Sequence, residues 1–188
     1  MNKAEYIHPK AIVESKSIGK DTRIWAFVHI LKGARIGSNC NICDHCFIEN
    51  DVVIGNNVTI KSGVYIWDGI EVEDNVFVGP NVTFTNDLYP RSKIYQKNYP
   101  RILIKEGASI GANSVLIAGV LIGQHAMVGA GSVITKNVKD YELVYGNPAR
   151  HRGYICRCKE KIKFKNSKHF ECLCGFSYVF KKGVVSRI

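Results

Sequence analysis

Two thiol pairs near the C-terminus, Cys156-Arg157-Cys158 and Cys172-Leu173-Cys174, carry the plainest chemistry in the chain. Paired thiolates are zinc ligands, and four of them close a tetrahedral structural site, although C-x-C is tighter than the usual C-x₂₋₄-C. Cys156, Cys158, Cys172 and Cys174 are therefore candidate zinc ligands in a knuckle. A second concentration of reactive groups spans residues 84–103, with Asn86, Asp87, Tyr89, Arg91, Tyr99 and Arg101. Polar groups, aromatic rings and two guanidiniums together suit a phosphorylated or sugar ligand. His125 offers the imidazole that a general base requires. Lys136 and Arg150 are candidates for phosphate binding by charge.

Those residues need a scaffold, and the spacing of aliphatic residues supplies it. A step of six from Ile12 meets only Ile or Val through Ile18, Ile24 and Ile30 to Val72 and Val78, then resumes at Ile104, Ile110, Leu116, Ile122, Val128 and Ile134. A period of six fits neither a helix nor a flat alternating strand. It fits a short strand and a turn, repeated, with one branched aliphatic always inward. Four residues further on stand small or β-branched residues such as Val52, Val64, Ala108, Ser114 and Ser132, with Cys40 and Cys46 in the same series. Those two cysteines read as core residues. From Ile30 onward the third residue after each aliphatic is Gly, Asn, Asp or His, including His45 and His125. These types best tolerate a left-handed backbone, so a turn of that kind is expected every six residues. Three strands and three turns close a triangular coil, and the series makes about six coils. Within this pattern His125 has a structural explanation as good as its catalytic one.

The loop at 84–103 interrupts the pattern, and a loop of about 20 residues in a compact domain is usually functional. A regular prism has no pocket of its own, so chemistry is expected at this interruption. A loop that only locks subunits together is the alternative.

Charge divides the chain. Of the formal +10, residues 1–150 carry 16 Lys+Arg against 14 Asp+Glu, while residues 151–188 carry 10 against 2. The expected organisation is a near-neutral domain over 1–150 and a basic, Cys-rich tail over 151–188. The tail lacks a recognisable nucleic-acid reading motif, and we expect it to cap the open end of the prism, as solenoids require. No apolar run approaches the roughly 20 residues of a membrane span. Met1-Asn2-Lys3-Ala4-Glu5 does not open a secretory leader. The expectation is a soluble, cytoplasmic protein without membrane insertion, whose seven cysteines are not a disulfide framework.

The hexad I-G-x-N, as in Ile36-Gly37-Ser38-Asn39 and Ile54-Gly55-Asn56-Asn57, resembles the hexapeptide-repeat acyltransferase superfamily. That resemblance implies an all-β, left-handed parallel β-helix, a homotrimer and active sites between neighbouring prisms. Trp67-Asp68-Gly69, Val78-Gly79-Pro80-Asn81 and Thr83-Phe84-Thr85-Asn86-Asp87-Leu88-Tyr89-Pro90-Arg91 are similar to N-acetyltransferases of nucleotide-linked 3-amino sugars, over residues 5–150 or so. It implies that Asn86 lies beside the acceptor amine, and that Asp68, Asp87 and Arg91 help to form the sugar pocket. Gly129-Ala130-Gly131-Ser132 and Gly146-Asn147-Pro148-Ala149-Arg150 resemble the donor half of coenzyme-A-using members. There Ala112, Ala130 and Gly131 would let the pantetheine of acetyl-CoA lie along the prism, with Lys136 and Arg150 at its phosphates.

The acceptor type can be argued from chemistry. A sugar hydroxyl needs a positioned base, which O-acetyltransferases of this fold present in a T-x-x-H-P element. The corresponding stretch here, Thr83-Phe84-Thr85-Asn86-Asp87, has no His. An amine attacks as its free base and needs mainly orientation, which favours N-acetylation. The carbonic anhydrase branch needs an H-x₄-H pair that this sequence lacks. The expected acceptor is a dTDP-linked 3-amino-3,6-dideoxyhexose for surface polysaccharide, with a UDP-linked 3-amino uronic acid as the alternative. A non-catalytic scaffold is the rival from another class.

Overall fold

In the computed structural model, residues 6–164 and 168–188 are described. Met1–Glu5, read above for a leader, lie outside them. Twenty strands of two or three residues, from Tyr6–Ile7 to Val133–Ile134, wind a parallel β-solenoid of triangular section. Face A stacks eight layers, from Tyr6–Ile7 through Thr59–Ile60 and Met127–Val128 to Glu142–Gly146. Face B stacks seven, from Ile12–Val13 through Tyr65–Ile66 and Thr83–Phe84 to Val133–Ile134. Face C stacks six, from Ser17–Ile18 through Ile70–Val72 and Ile102–Ile104 to Leu121–Ile122.

The inward column is a stack of Ile and Val with almost no exposed area, including Ile24, Ile42, Ile60, Ile66, Ile110 and Ile122 at 0%. Each such side chain contributes about 1.5–3 kcal/mol by leaving water. The neighbouring column of small residues is buried with it. Cys40 and Cys46 stand there as expected, and burial pushes both thiols up, Cys46 to about 12. Ser114 and Ser132 are buried too, and both hydroxyls donate to the Gly129 carbonyl.

The structure corrects the spacing at three places. Ile12 is 58% exposed, and Val13 takes the inward register opposite Ile30. The step from Val13 to Ile18 is one residue short, and a one-residue slip turns a strand over. Phe84 continues the inward stack, opposite Leu116 and 1% exposed, so the loop occupies residues 85–101 rather than 84–103. On face A the last layer, Val144 opposite Val128, follows after 16 residues instead of 18. The six coils counted by hexads are thus extended by layers at both ends that do not keep the six-residue step.

The corners also differ from the uniform expectation. After faces A and C the turn residue is left-handed at Asn39, His45, Asn57, Gly63, Asn75, Asn81, Gly107, Asn113, His125 and Gly131. After face B it is left-handed at Gly69 and Gly119, but not at Gly33, Asp51 or Asn137. That corner is where the chain departs into the long loop.

The open end of the prism is closed by Val138, Val144 and Ala149, which pack on the main core. The tail builds on the last coil, where strands Ala149–Ile155 and Lys161–Ile162 add to face A. It has its own cluster of Tyr141, Cys156, Ile162, Cys172, Tyr178 and Val185, joined to the last coil through Tyr141. Strand Ala149–Ile155 carries the chain from one unit to the other, paired antiparallel with Glu142–Gly146. Among the described residues no helix is long and apolar enough to cross a membrane.

Candidate active site

The corner between faces B and C collects most of the acceptor-side candidates. Tyr65, Thr83, Val115 and Val133 are aligned across four layers. The ladder continues past the strands, with Thr85 N–H donating to Leu116 O (3.0 Å) and Ile117 N–H to Ile134 O (3.1 Å). Two residues beyond each inward side chain, this register places Asp68, Asn86, Ala118 and Lys136 one above another. At about 4.8 Å per layer, Asn86 is a direct neighbour of Asp68 and lies roughly 10 Å from Lys136 along the column.

Several contacts hold this corner. Trp67 Nε1–H donates to Phe84 O (2.9 Å), tying two layers where the loop begins. Asp68 Oδ1 accepts the Asp51 N–H (2.6 Å), and Glu49 Oε2 accepts the Asp68 N–H (2.7 Å). Asp51 in turn pairs with Arg101 at 3.0 Å, anchoring the returning end of the loop. Thr85 Oγ1 accepts the Ala118 N–H (2.9 Å). Glu49, Asp51, Trp67 and Thr85 were not singled out as site residues from sequence. Glu49, Trp67 and Thr85 share a signal that could have found them: they stand 18 residues apart, each just after an inward side chain.

Asn86 is half-buried at the root of the loop. Asp87 Oδ1 accepts both the Tyr89 N–H (2.9 Å) and the Gln96 amide (2.7 Å), so this carboxylate folds the loop on itself. Arg91 is exposed beyond it, in an antiparallel bridge with Ile94. The loop presents large apolar side chains outward, Tyr89 at 82%, Tyr95 at 80% and Ile94 at 69% exposure. A single prism leaves this surface uncovered.

The donor-side candidates fall in two places. Ala112 and Ala130 stack at the corner between faces A and B, where Gly131 N–H donates to Ala112 O (2.8 Å). Gly131 is left-handed, and a Cβ there would meet nothing within 4 Å, so the strip is smooth and open. Lys136 and Arg150 come together instead at the corner between faces B and C, lining a concavity of ≈ 350 Å³ with Thr135, Glu142 and His151. Within one chain the width of face B therefore separates Ala112, Ala130 and Gly131 from Asn86.

His125 stands at the third corner, between faces C and A. Its ring lies where a Cβ on Gly107 would collide, 5.4 Å from the Tyr141 ring. Burial, then the nearby Arg157 guanidinium, holds its pKa below the ordinary value. Its φ of 54° is the conformation this corner repeats. Within the chain, face C lies between His125 and the Asn86 corner.

In the tail, the sulfurs of Cys156, Cys158, Cys172 and Cys174 all lie within 4.8 Å of one another, a cluster that could hold a metal ion.

Comparison with known proteins agrees with this geometry. The family model of the bacterial transferase hexapeptide (six repeats) matches residues 15–50, 51–86 and 101–136, and the gap after residue 86 falls on the loop. The chain is 63% identical over 183 residues, 97% of its length and 95% of the relative's, to the dTDP-3-amino-3,6-dideoxy-alpha-D-galactopyranose 3-N-acetyltransferase of Aneurinibacillus thermoaerophilus. A hexapeptide-repeat-containing acetyltransferase from Vibrio cholerae O1 biovar eltor, solved with acetyl coenzyme A, superposes with a TM-score of 0.55 at 27% identity, covering 73% of this chain and 69% of that one. An N-acyltransferase from Bacillus cereus, solved with dTDP and coenzyme A, shares the fold at a TM-score of 0.63 and 22% identity, over 81% of each chain. By repeat, architecture and near-full-length similarity, the chain belongs to the hexapeptide-repeat acetyltransferases.

Proposed function

We propose that this chain transfers the acetyl group of acetyl-CoA to the 3-amino group of a dTDP-linked 3-amino-3,6-dideoxyhexose, with the galacto sugar as the preferred acceptor. The observation that carries this reading is the 63% identity across nearly the whole of a 3-N-acetyltransferase of that dTDP-linked galacto sugar. The absence of a histidine from the loop root, where Asn86 stands, supports an amine over a hydroxyl acceptor.

The chemistry asks little of the protein beyond placement. The neutral amine attacks the thioester carbonyl, the C–N bond forms, the C–S bond breaks, and the amine proton passes to the departing thiolate. Asn86 accepts a hydrogen bond from the amine and aims its lone pair, an orienting effect of the kind that fixed geometry makes large. Asp68 keeps one carboxylate oxygen for the corner and offers the other to the sugar. Arg91 supplies a guanidinium for the acceptor's phosphates, and Asp87 holds the loop that carries it. Lys136 and Arg150 serve the phosphates of coenzyme A.

A homotrimer completes the site. The pantetheine strip at Ala112, Ala130 and Gly131 and the amine corner at Asn86 lie on different edges of one prism. A heterologous ring brings one subunit's strip against the next subunit's corner, with Tyr89, Ile94 and Tyr95 of the loop covered in the process. We place the reaction in the cytoplasm, where acetyl-CoA and nucleotide sugars are available, as a step towards surface polysaccharide.

The test is thiol release from acetyl-CoA against dTDP-linked 3-amino-3,6-dideoxygalactose and -glucose, a UDP-linked 3-amino uronic acid, a 4-amino sugar and a hydroxyl control. Highest kcat/KM on the dTDP galacto compound is expected. Turnover confined to the UDP or hydroxyl compounds would overturn the assignment.

A further inference from the structure

We propose that Cys156, Cys158, Cys172 and Cys174 bind one zinc ion that folds the tail, and that this ion is structural and independent of acetyl transfer. The two halves of the cluster are built alike. Cys156 N–H donates to Glu160 O (2.8 Å), and Lys159 N–H returns to Cys156 O (2.9 Å). Cys172 N–H donates to Phe176 O (2.8 Å), and Gly175 N–H returns to Cys172 O (2.8 Å). In each turn the residue after the second cysteine is left-handed, Lys159 at φ 81° and Gly175 at φ 89°. A lysine held in that conformation, where glycine is the easy choice, marks a turn fixed for what it presents.

Each turn caps a hairpin. Ala149–Ile155 pairs antiparallel with Lys161–Ile162, and His169–Glu171 with Ser177–Lys181. The tips face one another, with Cys156 and Cys174 sulfurs 3.5 Å apart and Cys158 and Cys172 also 3.5 Å apart. Zinc–sulfur bonds of about 2.3 Å put four tetrahedral sulfurs about 3.8 Å from each other, which matches a set mutually within 4.8 Å. The short C-x-C spacing is no obstacle, because each turn already directs both thiols to the shared centre.

The tail also needs such a staple. Among the described residues its apolar cluster has six buried members, one of which, Tyr141, comes from the prism, with five aromatic side chains only partly buried against them. A unit of roughly 40 residues seldom holds itself with a core of that size and takes a metal or disulfides instead. Four sulfurs gathered in one group suit a closed zinc site better than two separate bridges. The ion would hold Tyr178, whose hydroxyl lies 3.1 Å from Cys156 Sγ and whose ring lies 5.2 Å from Tyr141. Through Tyr141 the clamp secures the tail to the last coil, where Lys139 Nζ also donates to Gly183 O (3.0 Å).

The full chain, purified under reducing conditions without chelator, should contain about one zinc per subunit by elemental analysis. Cobalt substitution should give the intense sulfur-to-metal absorption of a tetrahedral thiolate site. Cys156→Ser and Cys172→Ser should lose nearly all the metal, and Cys43→Ser none. Should those buried variants fail to fold, Cys174→Ser, at the surface, should still lower zinc retention at least tenfold. On metal removal, hydrogen exchange should accelerate in residues 156–164 and 168–188 and stay slow in strands Arg23–Ile24 to Val133–Ile134. Iron in place of zinc, two disulfides by peptide mapping, or seven free thiols with no metal after zinc reconstitution would each overturn the proposal. None of these outcomes bears on acetyl transfer, which is measured separately.

Discussion

The corner between faces C and A and the corner between faces B and C both carry polar side chains, for different physical reasons. At the first, Asn39, Asn57, Asn75 and His125 have φ between 54° and 61°. Their residue types are explained by a backbone that most side chains resist, and by ladder contacts such as Asn39 Nδ2–H to Asn57 Oδ1 (2.7 Å). At the second, Asn86 lies outside the left-handed region and stands one position earlier than the turn residue. No backbone demand calls for an asparagine there. A polar residue that the fold accounts for says little about chemistry, and one that the fold does not need says more.

Substitutions at the two corners should therefore part company. Asn86→Ala should lower kcat/KM for the amino sugar by about 10²-fold, the scale of a lost orienting contact, with thermal stability unchanged. Equal loss of activity and stability would return Asn86 to the scaffold. Lys136→Ala, three layers away from Asp68 on the same column, should raise KM for acetyl-CoA about tenfold, the size of one charge-assisted contact, and leave kcat nearly intact. Steady-state kinetics varying each substrate in turn would expose the reverse pattern.

At the structural corner, Asn57→Ala should cost about 1–2 kcal/mol, because alanine lacks the short polar side chain that eases the left-handed region and accepts from Asn39 Nδ2–H, while Asn57→Gly should recover part of it. Denaturant midpoints would show this, with activity per folded chain unaltered. The smallest effect belongs to His125. Its folded pKa is held below the ordinary value of 6.5, so the neutral ring is favoured in the native state. That stabilisation is complete above about pH 6.5 and is lost as pH falls through the lowered folded pKa. Melting temperature measured downward from neutral pH should fall slightly more in the wild type than in His125→Asn. Turnover should be retained by that variant.

Most of the prism was legible in the sequence because a branched aliphatic every sixth residue has few other physical meanings. The slip at Ile12 and the inward place of Phe84 were not, since each needs the neighbouring coil to show which residue is opposite which. Phe84 was hidden by its type, being aromatic in an aliphatic column. The four cysteines were legible from pairing, whereas the likeness of their two turns is visible only in hydrogen bonds. Asn86 and Lys136 came from resemblance and from charge; that they share one column, away from Ala130, depends on the winding. The Glu49–Asp68–Asp51–Arg101 network joins residues up to 50 positions apart, and no local pattern announces it.

The separation of Asn86 from Ala130 is the feature on which the active-site account rests most heavily. Its direct test is subunit complementation between Asn86→Ala and Ala130→Trp, each nearly inactive alone. If the site is shared between neighbouring subunits, co-refolded mixtures should regain roughly a quarter of wild-type activity, the statistical share in a heterologous ring. If mixtures stay as inactive as either parent, each chain makes its own site and the shared site is contradicted.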